Sequence, residues 1–71
     1  MKNEYIKPDV SVIIPAFNES SGVEPLFAAL RAFVPQAGFS MQFVFVDDGS
    51  SDDTYERLVR QRIEGAQIRV I

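Results

Sequence analysis

Two stretches with the same layout decide the fold: VSVIIPAFNE at residues 10–19 and MQFVFVDDGSSDDT at residues 41–54. Each begins with β-branched, aromatic or other apolar residues that favour a strand and ends in polar, turn-forming residues. The first strand is predicted over 10–14 and ends at Pro15. The second is predicted over 41–46, where the nearly continuous apolar run is typical of a parallel strand covered on both faces.

The segment between these strands has the period of an amphipathic helix. Its apolar residues recur at three- and four-residue spacing and are Val23, Leu26, Phe27, Leu30, Phe33 and Val34. Ser21 and Glu24 have the spacing of a capping box that opens a helix. Pro25 fits only within the first turn, and Pro35 is expected to end the helix, with Gly38 helping the chain to turn.

A second helix is predicted after the acidic run. Asp53 and Glu56 offer a capping box, and Gly65 is a plausible C-terminal stop. The expected apolar stripe comprises Tyr55, Leu58, Val59 and Ile63. Residues 67–71 read as a third strand.

The resulting order, β-α-β-α-β, predicts an α/β, Rossmann-like fold with right-handed crossovers. We expect a three-stranded parallel sheet in the order 3-2-1, which is half of a doubly wound sheet. Four strand side chains are expected inside the core: Val12, Ile14, Phe43 and Phe45. An antiparallel pairing of the first two strands would contradict this prediction.

Composition narrows the functional classes. The 71 residues suffice for one small domain, and a net charge of −3 argues against a nucleic-acid footprint. With no cysteine and no histidine, any bound metal would need oxygen ligands. No apolar run approaches the roughly 20 residues of a membrane span. Residues 1–5 lack the apolar stretch of a secretory signal, so a cytoplasmic location is expected.

Ligands of open α/β sheets bind beyond the carboxyl ends of the strands, which directs attention to residues 15–19 and 47–50. A carboxylate there can accept hydrogen bonds from ribose hydroxyls or from a base imide. Phe17 could stack beside such a base, and backbone groups around Ala16 could bond its edge. The alternative is that the acidic run only makes a turn and caps the second helix.

Three other readings fit the residues poorly. A dinucleotide-binding dehydrogenase needs Gly-x-Gly-x-x-Gly after the first strand, where this chain has PAFNESSG at residues 15–22. A receiver domain carries its acidic pair after the first strand, and here the pair follows the second. The acidic run faintly resembles an EF-hand loop, but its glycine is misplaced and the terminal glutamate is missing.

Residues 10–19 followed by residues 45–54 closely resemble the opening of family 2 glycosyltransferases of the GT-A type. The resemblance covers about residues 10–71, and Phe17 stands where the family more often has tyrosine. It implies that this half of the fold holds a UDP- or GDP-linked sugar donor. The implied substrate-binding residues are Pro15, Ala16, Phe17 and Glu19 in the base-and-ribose loop, Asp48 as the acid that meets the base, and Asp47 as a structural or secondary contact.

The resemblance also implies functional parts outside this chain. The Asp-x-Asp motif that ligates Mg²⁺ or Mn²⁺, and the carboxylate that activates the acceptor, are expected beyond Ile71. We therefore expect a lead-in over 1–9, a partial nucleotide-sugar-binding domain over 10–71, and no catalytic or metal-binding residue in this chain. The whole enzyme would transfer sugar to a lipid, saccharide or other acceptor. A location of that enzyme at the cytoplasmic face of a membrane is compatible with this expectation.

A different class of function stays open beside this one. The chain on its own would then be an inactive α/β fragment that self-associates. A homodimer through the exposed sheet edge or the helix faces is the form expected in that case.

Overall fold

The computed structural model describes residues 7–71, so most of the lead-in predicted over 1–9 lies outside the described residues. Five elements follow one another along the chain. They are β1 (Val10–Ala16), α1 (Ser20–Ala37), β2 (Met41–Asp47), α2 (Thr54–Val59) and β3 (Ala66–Val70). The predicted β-α-β-α-β order is confirmed, with both of the first two strands longer than predicted.

All three strands are parallel, and β2 lies between β1 and β3. This confirms the predicted order 3-2-1. The register pairs Val10 with Met41 at one end and Ala16 with Asp47 at the other. Because β1 and β2 end at the same level, the loops that follow them begin side by side.

The core lies between one face of the sheet and the two helices. Phe43 and Phe45 are 2% and 0% exposed, and the ring of Phe45 stacks on Phe27 with 5.1 Å between centroids. Val12 and Ile14 are only partly buried and pack against this core. Full burial of a side chain of this size contributes about 1.5–3 kcal/mol, so the phenylalanines dominate the stability of the sheet.

The opposite face of the sheet is not covered by either helix. Ile13, which points away from the core, is 61% exposed. Within residues 7–71 no helix covers this face of β2, the strand expected to be covered on both faces, although Val44 on that face is only 9% exposed between its two neighbouring strands. The physical reason is that two successive crossovers of the same hand, moving in the same direction, place both helices on one side.

Helix α1 differs from its prediction at both ends. It begins at Ser20 after Glu19, whose side chain makes no capping bond, so the capping box predicted from Ser21 is wrong. Pro25 lies in the second turn and Pro35 in the last, and the helix ends at Gly38 in the left-handed conformation. Pro35 lacks one helical hydrogen bond, but the helix continues past it to Ala37, so the left-handed glycine rather than the proline ends the helix.

Helix α2 is shorter than predicted, because it ends at Val59 and not near Gly65. Gln61 is buried, and its side chain bonds Arg31 at 2.9 Å and Glu24 at 3.2 Å on α1. The Arg62 guanidinium donates a hydrogen bond to the Val59 carbonyl at 3.2 Å. These side chains replace the next helical turn, and Ile63 reaches the core from a loop instead.

Asp53 precedes α2 without a side-chain capping bond, so the capping box predicted from this residue is also wrong. The Thr54 amide donates instead to Asp52 Oδ1 at 3.0 Å. In the part of the chain that the structure describes, neither helix has the length and apolarity to cross a bilayer.

Candidate functional site

Two loops meet at the carboxyl end of the sheet: residues 17–19 after β1 and residues 48–53 after β2. We call them the first loop and the second loop. Because the strands are parallel and end in register, these loops lie beside each other above the same edge. This is the position at which open α/β sheets bind their ligands.

The backbone of the first loop is bonded to side chains of the second. Three consecutive amides, at the loop's end and the start of α1, each donate to a different acceptor. They are Asn18 to Ser50 Oγ at 2.9 Å, Glu19 to Thr54 Oγ1 at 2.9 Å, and Ser20 to Asp52 Oδ2 at 3.4 Å. The amides at the start of a helix need such partners, so the second loop caps α1 from outside its own segment.

The acceptors of the second loop are held in turn by carboxylates. Asp47 Oδ1 accepts from the Ser50 amide at 3.3 Å and from the Ser50 hydroxyl. Asp52 Oδ1 accepts from the amide and the hydroxyl of Thr54, a residue that is fully buried. Each hydroxyl therefore donates to a carboxylate and accepts from the first loop, which fixes its orientation.

Asn18 links the two loops in the other direction as well. Its side-chain oxygen accepts from the Ser51 amide at 2.9 Å and lies 3.4 Å from the Ser51 hydroxyl. Its backbone has φ 53°, in the left-handed region. Asparagine is one of the few side chains that visits this region readily.

The structure brings the sequence-predicted residues to this one edge. Pro15 and the buried Ala16 are the last two residues of β1, and Asp47 is the last residue of β2. Phe17 is 55% exposed in the first loop, where Glu19 is exposed too. Asp48 directly follows β2 and is exposed.

Sequence reasoning missed the residues that join the loops, namely Asn18, Ser50, Ser51, Asp52 and Thr54. The sequence predicts for the acidic run either ligand-binding carboxylates or a turn that caps α2, and neither alternative includes its bonds to the first loop and the start of α1. A usable signal was present, because α1 needs partners for its first amides and hydroxyl-rich residues follow the neighbouring strand.

The carboxylates at the far end of the second loop are stabilised in their charged form. The hydroxyl of Thr54, together with the amides of Thr54 and Ser20, holds the pKa of Asp52 below its ordinary value. The Ser20 hydroxyl and the Arg57 guanidinium do the same for the pKa of Asp53. Arg57 lies 3.0 Å from Asp53. Of the two acids, Asp52 also accepts from the Ser20 amide at 3.4 Å and so ties the second loop to the start of α1.

A metal site does not follow from these carboxylates. Within residues 7–71, no three acidic or other ligating side chains are grouped so that they could hold an ion. Asp47 and Asp52 are each occupied by a hydroxyl and an amide of their own loop. These two carboxylates therefore serve to hold the second loop.

Several cavities border the part of the fold formed by residues 7–71. One of about 340 Å³ lies between α2 and β3, away from the loops. Another of about 270 Å³ opens beside the end of β1, and its lining of Pro15, Ala16, Glu19 and apolar core residues gives it little polar character. Because Pro15, Ala16 and Glu19 line it, the second cavity is the one that adjoins the loops at the carboxyl end of the sheet.

Comparison with known proteins identifies the family. The family model for glycosyl transferase family 2 matches residues 11–71, nearly the whole chain. The chain therefore belongs to glycosyl transferase family 2, as its two motifs indicated.

Several curated proteins that are similar to this chain are named as sugar transferases. The chain is 35% identical over 68 residues to the dolichol-phosphate mannosyltransferase of Mycosarcoma maydis, a match covering 90% of this chain and 23% of the relative. It is 33% identical over 64 residues to the Saccharomyces cerevisiae protein of that name, covering 89% and 24%. An undecaprenyl-phosphate 4-deoxy-4-formamido-L-arabinose transferase of Salmonella paratyphi A is 35% identical over 51 residues, covering 72% and 16%.

The chain thus spans about a quarter or less of the length of these relatives. No solved structure gives a significant match to it.

Proposed function

We propose that this chain is the donor-nucleotide part of an enzyme that transfers a sugar from a UDP- or GDP-linked donor to a polyprenyl-phosphate acceptor. Membership of glycosyl transferase family 2 supports the reaction class. The acceptor is taken from the relatives, since dolichol phosphate and undecaprenyl phosphate are both polyprenyl phosphates. The UDP- or GDP-linked donor is proposed from the family resemblance and from the exposed groups of the site.

The observation that carries the proposal is the joined pair of loops at the carboxyl end of the sheet. Bonds from Asn18 to Ser50 and Ser51 hold the first loop against the second. They leave the Phe17 ring and the Asp48 carboxylate exposed on neighbouring loops. An aromatic ring for stacking and a carboxylate for an imide N–H are what a uracil or guanine base requires.

Each predicted residue then has a distinct role. Phe17 stacks on the base, and Asp48 accepts its imide hydrogen. Pro15 and Ala16 present backbone groups to the base edge, and Glu19 borders the ribose. Asp47 acts indirectly, because its carboxylate is bonded to Ser50.

The remaining chemistry belongs to the whole protein. Departure of a nucleoside diphosphate develops negative charge that a divalent cation neutralises, and Mg²⁺ or Mn²⁺ is the proposed ion. Its ligands and the carboxylate that activates the acceptor are proposed outside this chain, in a protein acting at the cytoplasmic face of a membrane. The residues of this chain bind and orient the nucleotide.

Substitution of Asp48 by Asn tests the proposal. It replaces a charged acceptor by an amide, and losing that hydrogen bond costs about 1.5–3 kcal/mol. We expect UDP or GDP, whichever the whole protein binds, to bind about tenfold to a hundredfold more weakly in calorimetric titration.

Asp53→Asn is the matched control, because it removes the same charge from a residue paired with Arg57 at 3.0 Å instead of the base. Its nucleotide affinity should stay within about twofold of the wild type, since a surface pair of this kind contributes little. Unchanged affinity in Asp48→Asn, or an equal loss in both variants, would contradict the proposed site.

Self-association is the second candidate. The observation in its favour is the uncovered sheet face, on which Ile13 is 61% exposed. A molar mass that rises with concentration for the isolated 71 residues, and falls back in Ile13→Lys, would support this candidate.

A further inference from the structure

We propose that Asn18 is a positioning residue that locks the two loops in the arrangement the nucleotide needs, without touching the nucleotide itself. The inference rests on the proposed function. It adds a residue that none of the assigned site roles includes.

Asn18 stands between two residues that are proposed to contact the donor. Phe17 precedes it with an exposed ring, and Glu19 follows it. Any change in the backbone at Asn18 turns both neighbours. Its φ of 53° is a conformation that most side chains adopt only at a cost, so this backbone depends on the residue type.

The backbone amide of Asn18 starts a short line of hydrogen bonds to the sheet. The amide donates to Ser50 Oγ at 2.9 Å, and the Ser50 hydroxyl donates in turn to Asp47 Oδ1. Asp47 is the last residue of β2 and is paired with Ala16 of β1. The first loop is thereby tied to the end of the strand on which the second loop begins.

The side chain of Asn18 makes an independent link. Its Oδ1 accepts from the Ser51 amide at 2.9 Å. Asp48 lies within the turn that runs from Asp47 to Ser51, and Gly49 in that turn has φ 77°. Contacts at both ends of the turn fix the place of Asp48 relative to Phe17.

Two requirements therefore meet at this position: tolerance of a left-handed backbone and a short side chain with an acceptor oxygen. Asparagine and aspartate satisfy both. Glycine satisfies only the first, and its added backbone freedom leaves the unliganded loop less ordered. This difference supplies the test variants.

In the whole protein, we expect Asn18→Gly to weaken UDP or GDP binding by about threefold to tenfold, as the loss of one or two ordering hydrogen bonds predicts. Asn18→Asp should stay within about twofold of the wild type at about 0.3 M salt, where its added charge is largely screened. Affinities are measured by calorimetry well below each variant's melting temperature. A role in stability alone would lower the melting temperature of Asn18→Gly and leave its affinity unchanged, which would overturn the inference.

Ser50→Ala removes the acceptor of the Asn18 amide, which is the other link between the loops, and keeps Asn18 itself, so it serves if Asn18→Gly fails to fold. It should weaken nucleotide binding by a similar factor, because it removes the second hydrogen bond that holds the first loop to the second. Wild-type affinity in Ser50→Ala would overturn the inference.

Failure of the inference and failure of the proposed function give different results. If the wild type binds neither UDP nor GDP, the proposed function fails and the inference falls with it. If the wild type binds and Asp48→Asn weakens binding while Asn18→Gly and Ser50→Ala do not, only the role of Asn18 is wrong.

Discussion

The two ends of the sheet use the same residue types for different results. At the amino end, Asp9 and Ser40 join the entries to β1 and β2. The Asp9 amide donates to Ser40 Oγ at 2.8 Å, and the Ser40 amide returns to Asp9 Oδ2 at 3.0 Å. The pair is reciprocal, so the polar groups at this end bond each other.

At the carboxyl end the bonds run in one main direction, from the backbone of the first loop to the side chains of the second. This arrangement orders both loops while Phe17 and Asp48 remain exposed. Serine and aspartate are thus not evidence of a ligand site by themselves. Their place at the carboxyl ends of parallel strands, with recognition groups left exposed, distinguishes the two ends.

The largest effect is expected from Thr54→Val, which tests how much the carboxyl end depends on its joined loops. Thr54 is fully buried and bonds both the Glu19 amide and Asp52. Loss of its hydroxyl takes this acceptor from the buried side of the Glu19 amide and leaves Asp52 with the amides of Thr54 and Ser20, at nearly constant side-chain volume. We expect the free energy of unfolding to fall by about 2 kcal/mol, measured by denaturant titration of the whole protein.

Thr54→Ser is the control, because it keeps the hydroxyl and loses one methyl group, at a cost of about 1 kcal/mol. Nucleotide affinity should survive in Thr54→Ser and decline in Thr54→Val. If the two variants bind the nucleotide equally well, the loops do not depend on this hydroxyl.

A smaller effect is expected at the amino end. Asp9→Ala removes a carboxylate that accepts from the amide and the hydroxyl of Ser40. Because the site is exposed, we expect a loss of about 1 kcal/mol in the free energy of unfolding and no change in nucleotide affinity. The free energy of unfolding and the nucleotide affinity are measured on the same variant. An affinity loss comparable with that of Asp48→Asn would contradict the claim that only the carboxyl end of the sheet binds the nucleotide.

Most of the architecture could be predicted from the sequence. Strand positions and the parallel order follow from apolar runs at residues 10–14 and 41–46 and from crossover geometry. The ends of the helices could not be predicted equally well. Pro35 does not end α1, because the loss of one helical hydrogen bond leaves the helix intact up to Ala37, before the left-handed Gly38. The early end of α2 depends on Gln61 bonding to α1, a contact between distant residues.

The position of the site could be predicted from the sequence, but the contacts between its residues could not. The motifs direct attention to residues 15–19 and 47–48, which the fold brings to one edge. Which acids serve the ligand and which serve the fold depends on contacts across more than 30 residues, such as Asn18 with Ser51. The roles of Phe17, Glu19 and Asp48 toward a nucleotide stay predictions.

The most direct test of the account is where a bound nucleotide protects the backbone. Hydrogen exchange of the whole protein, followed by mass spectrometry with and without saturating UDP or GDP, would report on each end of the sheet separately. We predict slower exchange in peptides covering residues 16–20 and 47–54, and unchanged exchange in those covering 8–12 and 38–42. Protection at the amino end, or nucleotide binding that leaves both loops unprotected, would contradict the claim that the joined loops form the nucleotide site.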